Sequence, residues 1–267
     1  MPVGSSTRSP GGTSASSVVT RSQPASPGWA YAGSGTSGSS RRSLTSSTRR
    51  PSLRDADGPD RAIFACTAGN LSVSQTAISV INEGLCNPPP GDPEDCHTLQ
   101  DVGSMFRAAQ LMGEAMQIAT RRVSQALSGM NIPVGASTLL GGRVGDAPPE
   151  LYLIYEAGNF IQCKPESPFF PIGETKYGRP ILDRELRPST PLAEALKYGF
   201  LSFDAAMASN LGVARPIDLM VMPADRSRAI LTRRIERRDP YFDALSEQWG
   251  EALREASKQI PNPPFLS

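Results

Sequence analysis

From Arg61 onward apolar residues recur at regular intervals, and the intervals predict a series of elements. Residues 61–67 (RAIFACT) form a short apolar run that ends in the small-residue turn Ala68-Gly69-Asn70, the pattern of a buried strand. Beyond Ser72 the period lengthens: Val73, Ala77, Val80, Ile81 and Leu85 follow at three- and four-residue steps, so a helix is expected until Gly84 and Pro88 to Pro90 stop it. NPPPGDPEDCH then reads as a solvent loop. The strongest periodic signal is a second helix, with Met105, Phe106, Ala109, Met112, Ala115, Met116, Ala119, Val123 and Leu127 in one stripe. At helical spacing such a methionine stripe predicts core packing rather than a sulfur ligand set.

Strands are expected over 136–140, 151–155 and 160–163, with a tight Gly158-Asn159 turn. Helices follow over 176–185 and 191–210, strands over 217–222 and 228–235, and a closing amphipathic helix over 241–257. Helices come in pairs and strands in antiparallel runs, which excludes a βαβ repeat. The fold class is therefore α/β in the layered sense: antiparallel sheets sandwiched between helical layers.

The first 60 residues follow a different rule. Of these, 43 are Ser, Thr, Gly, Pro or Arg and none is Lys, so the head has no sustained apolar period. Its few large apolar side chains recover on the order of 16 kcal/mol at ~2 kcal/mol each. Ordering 60 residues costs roughly 60 to 120 kcal/mol of backbone entropy, so the head cannot fold by itself. Two domains of text result: a low-complexity head, 1–60, and a folding body, 61–267. The head is read as a disordered tail, as an Arg/Ser-rich targeting peptide whose Gly and Pro oppose the required helix, or as an out-of-frame stretch. Arg outnumbers Lys 23 to 4 across the chain, the bias of a GC-rich gene, and such genes yield Arg, Gly, Pro, Ser and Ala when read out of frame.

Charge excludes little else. The head carries a net +4 and the body a net −3, so no basic nucleic-acid surface is indicated. No run of 18 apolar residues occurs and MPVGSSTRSPGG has no apolar signal core, which predicts a cytoplasmic protein with no membrane partner. Cys66, Cys86, Cys96 and Cys163 form no CxxC pair and are expected as reduced thiols.

Common catalytic motifs are missing: GxSxG, HExxH and the P-loop do not occur, and Gly141-Gly142-Arg143-Val144-Gly145 reads as a hairpin turn. The single histidine, His97, sits in the Pro- and Asp-rich loop. Its spacing from Cys86 and Cys96 matches no zinc site, so neither metal nor cofactor is expected. A hydrolase can dispense with histidine when the α-amino group of an N-terminal Thr, Ser or Cys, with pKa near 8, acts as its own base.

Five ordered segments bear on that chemistry: TAGNLSVSQ from Thr67, LIYEAGNF from Leu153, FFPIGETKYGRPILDR from Phe169, SNLGVARPIDL from Ser209 and DPYFDALSEQWGEAL from Asp239. Over about residues 61–267 they resemble the bacterial proteasome-type peptidases called Anbu, for ancestral beta subunit. The resemblance implies an Ntn-hydrolase αββα sandwich, a threonine-type peptidase acting on peptide or unfolded-protein substrates without a cofactor, and a homo-oligomer in a ring or helical assembly. It also implies site residues. Gly69 resembles the oxyanion-hole position, with Ala68 and Asn70 in the substrate cleft. Glu174, Thr175 and Lys176 resemble the segment that supports the nucleophile's amine, and Ser209 and Asn210 resemble the region of a supporting Asp or Ser. On residue chemistry alone the same positions read as a turn glycine and helix caps.

Departures from the family pattern concern Ala208, Gly212 and Ala214, where an Arg and a Ser-x-Gly are usual. The nucleophile departs further. Loss of Met1 would expose Pro2, and neither Thr13 nor Thr36 is followed by an apolar strand. The catalytic nucleophile is therefore unassigned, the N-terminal strands are expected to be missing, and the exposed sheet edges predict poor solubility. A non-catalytic structural subunit is the alternative.

Overall fold

A computed structural model describes residues 61–86 and 96–266, and the backbone of 16–20 and 29–33. Its elements in chain order are β1 (Ser16–Thr20), β2 (Trp29–Gly33), β3 (Arg61–Gly69), α1 (Leu71–Glu83), β4 (Leu85–Cys86), β5 (Cys96–His97), α2 (Met105–Ala126), β6 (Ala136–Val144), β7 (Glu150–Tyr155), β8 (Phe160–Gln162), β9 (Phe169–Ile172), α3 (Arg179–Glu185), α4 (Leu192–Ser209), β10 (Ile217–Val221), β11 (Leu231–Ile235) and α5 (Pro240–Gln259).

Two antiparallel sheets face each other. One has the strand order β3-β6-β7-β8, the other β11-β10-β2-β1-β9. Alternation along β3, β6, β7 and β9 turns one set of side chains inward, and Ala68, Leu139, Leu153, Cys163, Phe170 and Ile172 share the inter-sheet core. On the outer side of the four-stranded sheet, Met105, Met112 and Met116 of α2 are at most 2% exposed and meet Val73 and Ile81 of α1 and Ile154 of β7. Each such side chain contributes about 2 kcal/mol. Leu182, Phe200, Phe203 and Phe242 from α3, α4 and α5 cover the other sheet with Ile217 and Leu219. The layers run helix, sheet, sheet, helix, which is the expected sandwich.

Local chemistry sets the helix starts. Ser104 accepts from the Arg107 N–H at 3.2 Å, and Asp239 accepts from the Phe242 N–H at 3.0 Å with Pro240 beginning α5. α3 begins at Arg179 rather than 176 because Gly173 adopts φ 82° and the Lys176 N–H is taken by the Glu174 carboxylate at 3.1 Å.

Three expectations are corrected. First, the N-terminal strands are not missing: the head supplies β1 and β2 to the middle of the five-stranded sheet, β1 against β9 and β2 against β10. Main-chain pairing asks only for extended backbone, which SSVVT and WAYAG with their β-branched and aromatic residues favour, and it removes the two open edges from which poor solubility was argued. Second, Cys86 and Cys96 are bonded to each other across the β4–β5 ladder, where their Cα atoms stand 3.9 Å apart. The loop reading missed this ladder; residues 87–95 lie outside the described residues, as do Thr13 and Thr36. Third, Gly141 and Gly142 belong to β6 and the turn comes after Val144. The Phe64 ring occupies the space a Cβ at Gly141 would need, 2.4 Å away. A further strand, β9 (FFPI), forms where no element was expected; it contains Pro171, which a strand accepts because β9 is the edge of its sheet.

Candidate active site

The end of β3 is held by main-chain geometry. Gly69 has φ 103°, and a Cβ there would stand 2.3 Å from the Gly135 carbonyl oxygen, so both the conformation and the close approach demand glycine. The chain then turns directly into α1. Asn70 caps that helix by accepting from the Val73 N–H at 3.2 Å, while its amide group donates to the Pro133 carbonyl at 3.0 Å. Its own N–H donates to the Gly135 carbonyl at 2.8 Å. Opposite, the Ala136 N–H donates to the Glu156 carboxylate at 3.0 Å. Pro133 and Gly135 thus fix the turn from 63 and 65 residues away, and Glu156 holds the neighbouring Ala136 from 20 residues further on, so no local sequence signal could have named them.

A second cluster lies at the end of β9. One Glu174 carboxylate oxygen accepts from the Asn210 amide group at 2.8 Å, and the other accepts from the Lys176 N–H. The Asn210 side-chain oxygen accepts from the Gly212 N–H at 2.8 Å, and the Thr175 carbonyl accepts from the Arg179 N–H at 3.0 Å. Two segments far apart in the chain, Glu174 to Lys176 and Ser209-Asn210, are therefore joined through Glu174 and Asn210. Ser209 ends α4 exposed and Lys176 is exposed.

Ala68 and Ile172, which precede the two clusters, share the inter-sheet core, and Ala68 is buried in it. Strand β1 approaches the second cluster: Ser17 pairs with Ile172, so Ser16 at the start of β1 stands level with Gly173, next to Glu174 in the chain. Cys66 sits two residues before Ala68, and burial first, then the nearby Asp218 carboxylate, push its thiol up to about 12. A thiol so placed stays protonated near neutral pH and is no nucleophile. Among the described residues no three His, Cys, Asp or Glu side chains gather as a metal site.

Solved structures match this arrangement over nearly their whole length. Anbu (ancestral beta-subunit) from Yersinia bercovieri superposes with a TM-score of 0.72 at 32% identity, covering 93% of this chain and 98% of that one. The chain belongs to the Anbu family. An Anbu (Gly-1) mutant from Hyphomicrobium sp. strain MC1 gives 0.73 at 33% identity, with 93% and 99% covered. The Anbu complex of Pseudomonas aeruginosa, solved as a helical assembly, gives 0.74 at 32% identity, with 93% and 98% covered. No family model and no curated protein matches the sequence. As an Anbu-type, proteasome-like protein the chain has the Ntn-hydrolase-like sandwich expected from its motifs, and no helix among the described residues is long and apolar enough to cross a membrane.

Proposed function

We propose that this chain is a cytoplasmic, self-assembling Anbu subunit whose lineage hydrolyses peptide bonds with an N-terminal Thr, and that as written it cannot perform that reaction. In this reading the body, 61–267, carries the proteasome-like domain, whose five-stranded sheet β1 and β2 complete. Gly69 faces the developing oxyanion, Ala68 and Asn70 border the peptide cleft, and Glu174, Thr175, Lys176, Ser209 and Asn210 support the nucleophile's end of the strand.

The observation that carries the reading is the register of β1. Ser17 pairs with Ile172, the last residue of β9, so Ser16 at the start of β1 stands level with Gly173, where the family reading requires the nucleophile to lead the strand. The residue there is a serine with a peptide bond before it, not a free-amine threonine. Without a free α-amino group at that point, nothing takes the hydroxyl proton during attack on a carbonyl. The same observation favours the second reading, a subunit retained for assembly alone.

Intact mass of the expressed protein combined with labelling by a β-lactone or epoxyketone separates the outcomes. Full mass and no adduct is the expected result. Loss of a head fragment that leaves a new N-terminal Thr, together with a stoichiometric adduct, overturns it and establishes a peptidase.

A further inference from the structure

Strand β3 and helix α1 form a hairpin whose tip is the Gly69-Asn70 turn and whose two open ends are Arg61 and Gly84. One short segment, residues 96–102, fastens both open ends. On the helix side β5 pairs with β4, and Cys96 is bonded to Cys86, two residues past Gly84. On the strand side the Arg61 Nη1 donates to the Leu99 carbonyl at 3.1 Å, to the Val102 carbonyl at 3.5 Å and to the Gln100 carbonyl. Between the two fastenings the Asp101 carboxylate accepts from the Thr98 N–H and hydroxyl, both at 2.8 Å, so 98–101 is a compact turn.

Without the covalent bond this strap is weakly held. Nη1 carries two N–H groups and faces three carbonyls, so it cannot satisfy all of them at once. β4 and β5 are two residues each and pair with no third strand, and a two-stranded ladder is marginal in water by itself. Only Leu99 and Val102 of the segment are buried in the core beneath it. The body is held differently: α1 and α2 bury Val73, Ile81, Met112 and Met116, each at most 1% exposed, in one cluster with the four-stranded sheet. Cys86 and Cys96 are both half-buried, open to a small thiol, whereas Cys163 is fully buried and Cys66 keeps its proton.

We propose that Cys86 and Cys96 form a thiol–disulfide switch for this strap. Oxidised, the pair clasps residues 96–102 across the open end of the β3–α1 hairpin; reduced, it lets them lift away while the sandwich stays folded. The co-reactants are small thiols and disulfides. A thiolate of a dithiol attacks one of the two sulfurs, a mixed disulfide forms, and the other cysteine leaves as a thiolate that takes up a proton. The second thiolate of the dithiol then closes its own disulfide and releases the first cysteine, so two electrons have passed to the protein. In the reverse direction oxidised glutathione takes the two electrons and leaves as two glutathione thiols. The switch does not depend on the peptidase reading, because the strap sits at the end of the hairpin opposite Gly69 and Asn70.

Hydrogen exchange of the full chain, followed by mass spectrometry in oxidised glutathione and in dithiothreitol, tests it. Reduction should speed exchange of residues 96–102 by roughly tenfold or more and leave α2 and β6 unchanged. Iodoacetamide added to the reduced, folded protein should label Cys86 and Cys96 but neither Cys66 nor Cys163. Return to oxidised glutathione should restore the slow exchange, and Cys86→Ser/Cys96→Ser should exchange fast in both buffers. The proposal is overturned if oxidised glutathione leaves both thiols free, if dithiothreitol leaves the bond intact in the folded protein, or if residues 96–102 exchange alike in both states. It is equally overturned if reduction speeds exchange throughout α2 and β6, the mark of a bond that holds the whole fold rather than the strap.

Discussion

The Asn210 amide group donates to the Glu174 carboxylate at 2.8 Å, tying the C-terminus of α4 to the turn after β9 across 36 residues of sequence. Glu174 also holds the Lys176 N–H, and Asn210 also holds the Gly212 N–H, so each residue anchors its own turn and the other's. Glu174→Ala should lower stability by about 1 to 2 kcal/mol, since it strips two donors of their acceptor. Glu174→Gln keeps an acceptor for one of them and should cost less. Urea unfolding midpoints of the two variants check the order; equal midpoints would deny the bridge.

Gly69 and Gly135 make a sharper contrast. Gly69→Ala meets both a positive φ and a carbonyl oxygen 2.3 Å from the new Cβ, and a loss of about 3 kcal/mol or more, or insoluble expression, is expected. At Gly135 the Cβ would meet only the tip of the Glu156 side chain at 2.7 Å, which can swing away, so Gly135→Ala should cost about 1 kcal/mol, chiefly the bond from the Ala136 N–H. Asn70→Ala removes a helix cap and should fall between them, at about 1 to 2 kcal/mol. Comparing the soluble yield and melting temperature of the three variants tests that ranking.

Periodicity made most of the sandwich legible because most elements are one-sided: the α2 stripe and the short apolar strand at Arg61 each announce a face that must be buried. What escaped was held by main chain rather than side-chain pattern. β1 and β2 pair through backbone groups that any residue but proline supplies, so a serine-rich segment hid them. Pro171 disguised β9 until its edge position was visible, and the β4–β5 ladder is too short to carry a period. At the site, the turn glycine and the asparagine cap could be read from TAGN, and the Glu174 and Ser209-Asn210 segments came from motif resemblance. Pro133, Gly135 and Glu156 could not be read at all, because their role consists of where distant backbone meets them.

The Cys86–Cys96 bond gives a prediction of its own. Alkylation under denaturing conditions without reductant should modify two of the four cysteines, Cys66 and Cys163, and all four after reduction. The cross-link spans ten positions, so chain-entropy bookkeeping assigns it about 3 kcal/mol, and reductant should lower the unfolding midpoint accordingly. Four modified thiols in the unreduced protein would show that the bond does not form.

Cys66 sets the alkaline limit. Its thiol is pushed up to about 12 in the folded chain, against about 8.5 when unfolded, so the folded state holds the proton more tightly. The corresponding stability is fully present below pH 8.5 and is lost as pH rises toward 12, where the unfolded thiolate forms first and draws the equilibrium toward unfolding. Tyrosine and lysine titrations overlap this window, but they are common to the parent and to Cys66→Ala. The difference between the two isolates the cysteine. Cys66→Ala should be the less stable protein at pH 7, through lost packing in the inter-sheet core, and its deficit should shrink steadily between pH 9 and 11. Urea midpoints of both proteins across that range are the measurement, and a deficit that stays constant would mean that the Cys66 thiol titrates normally.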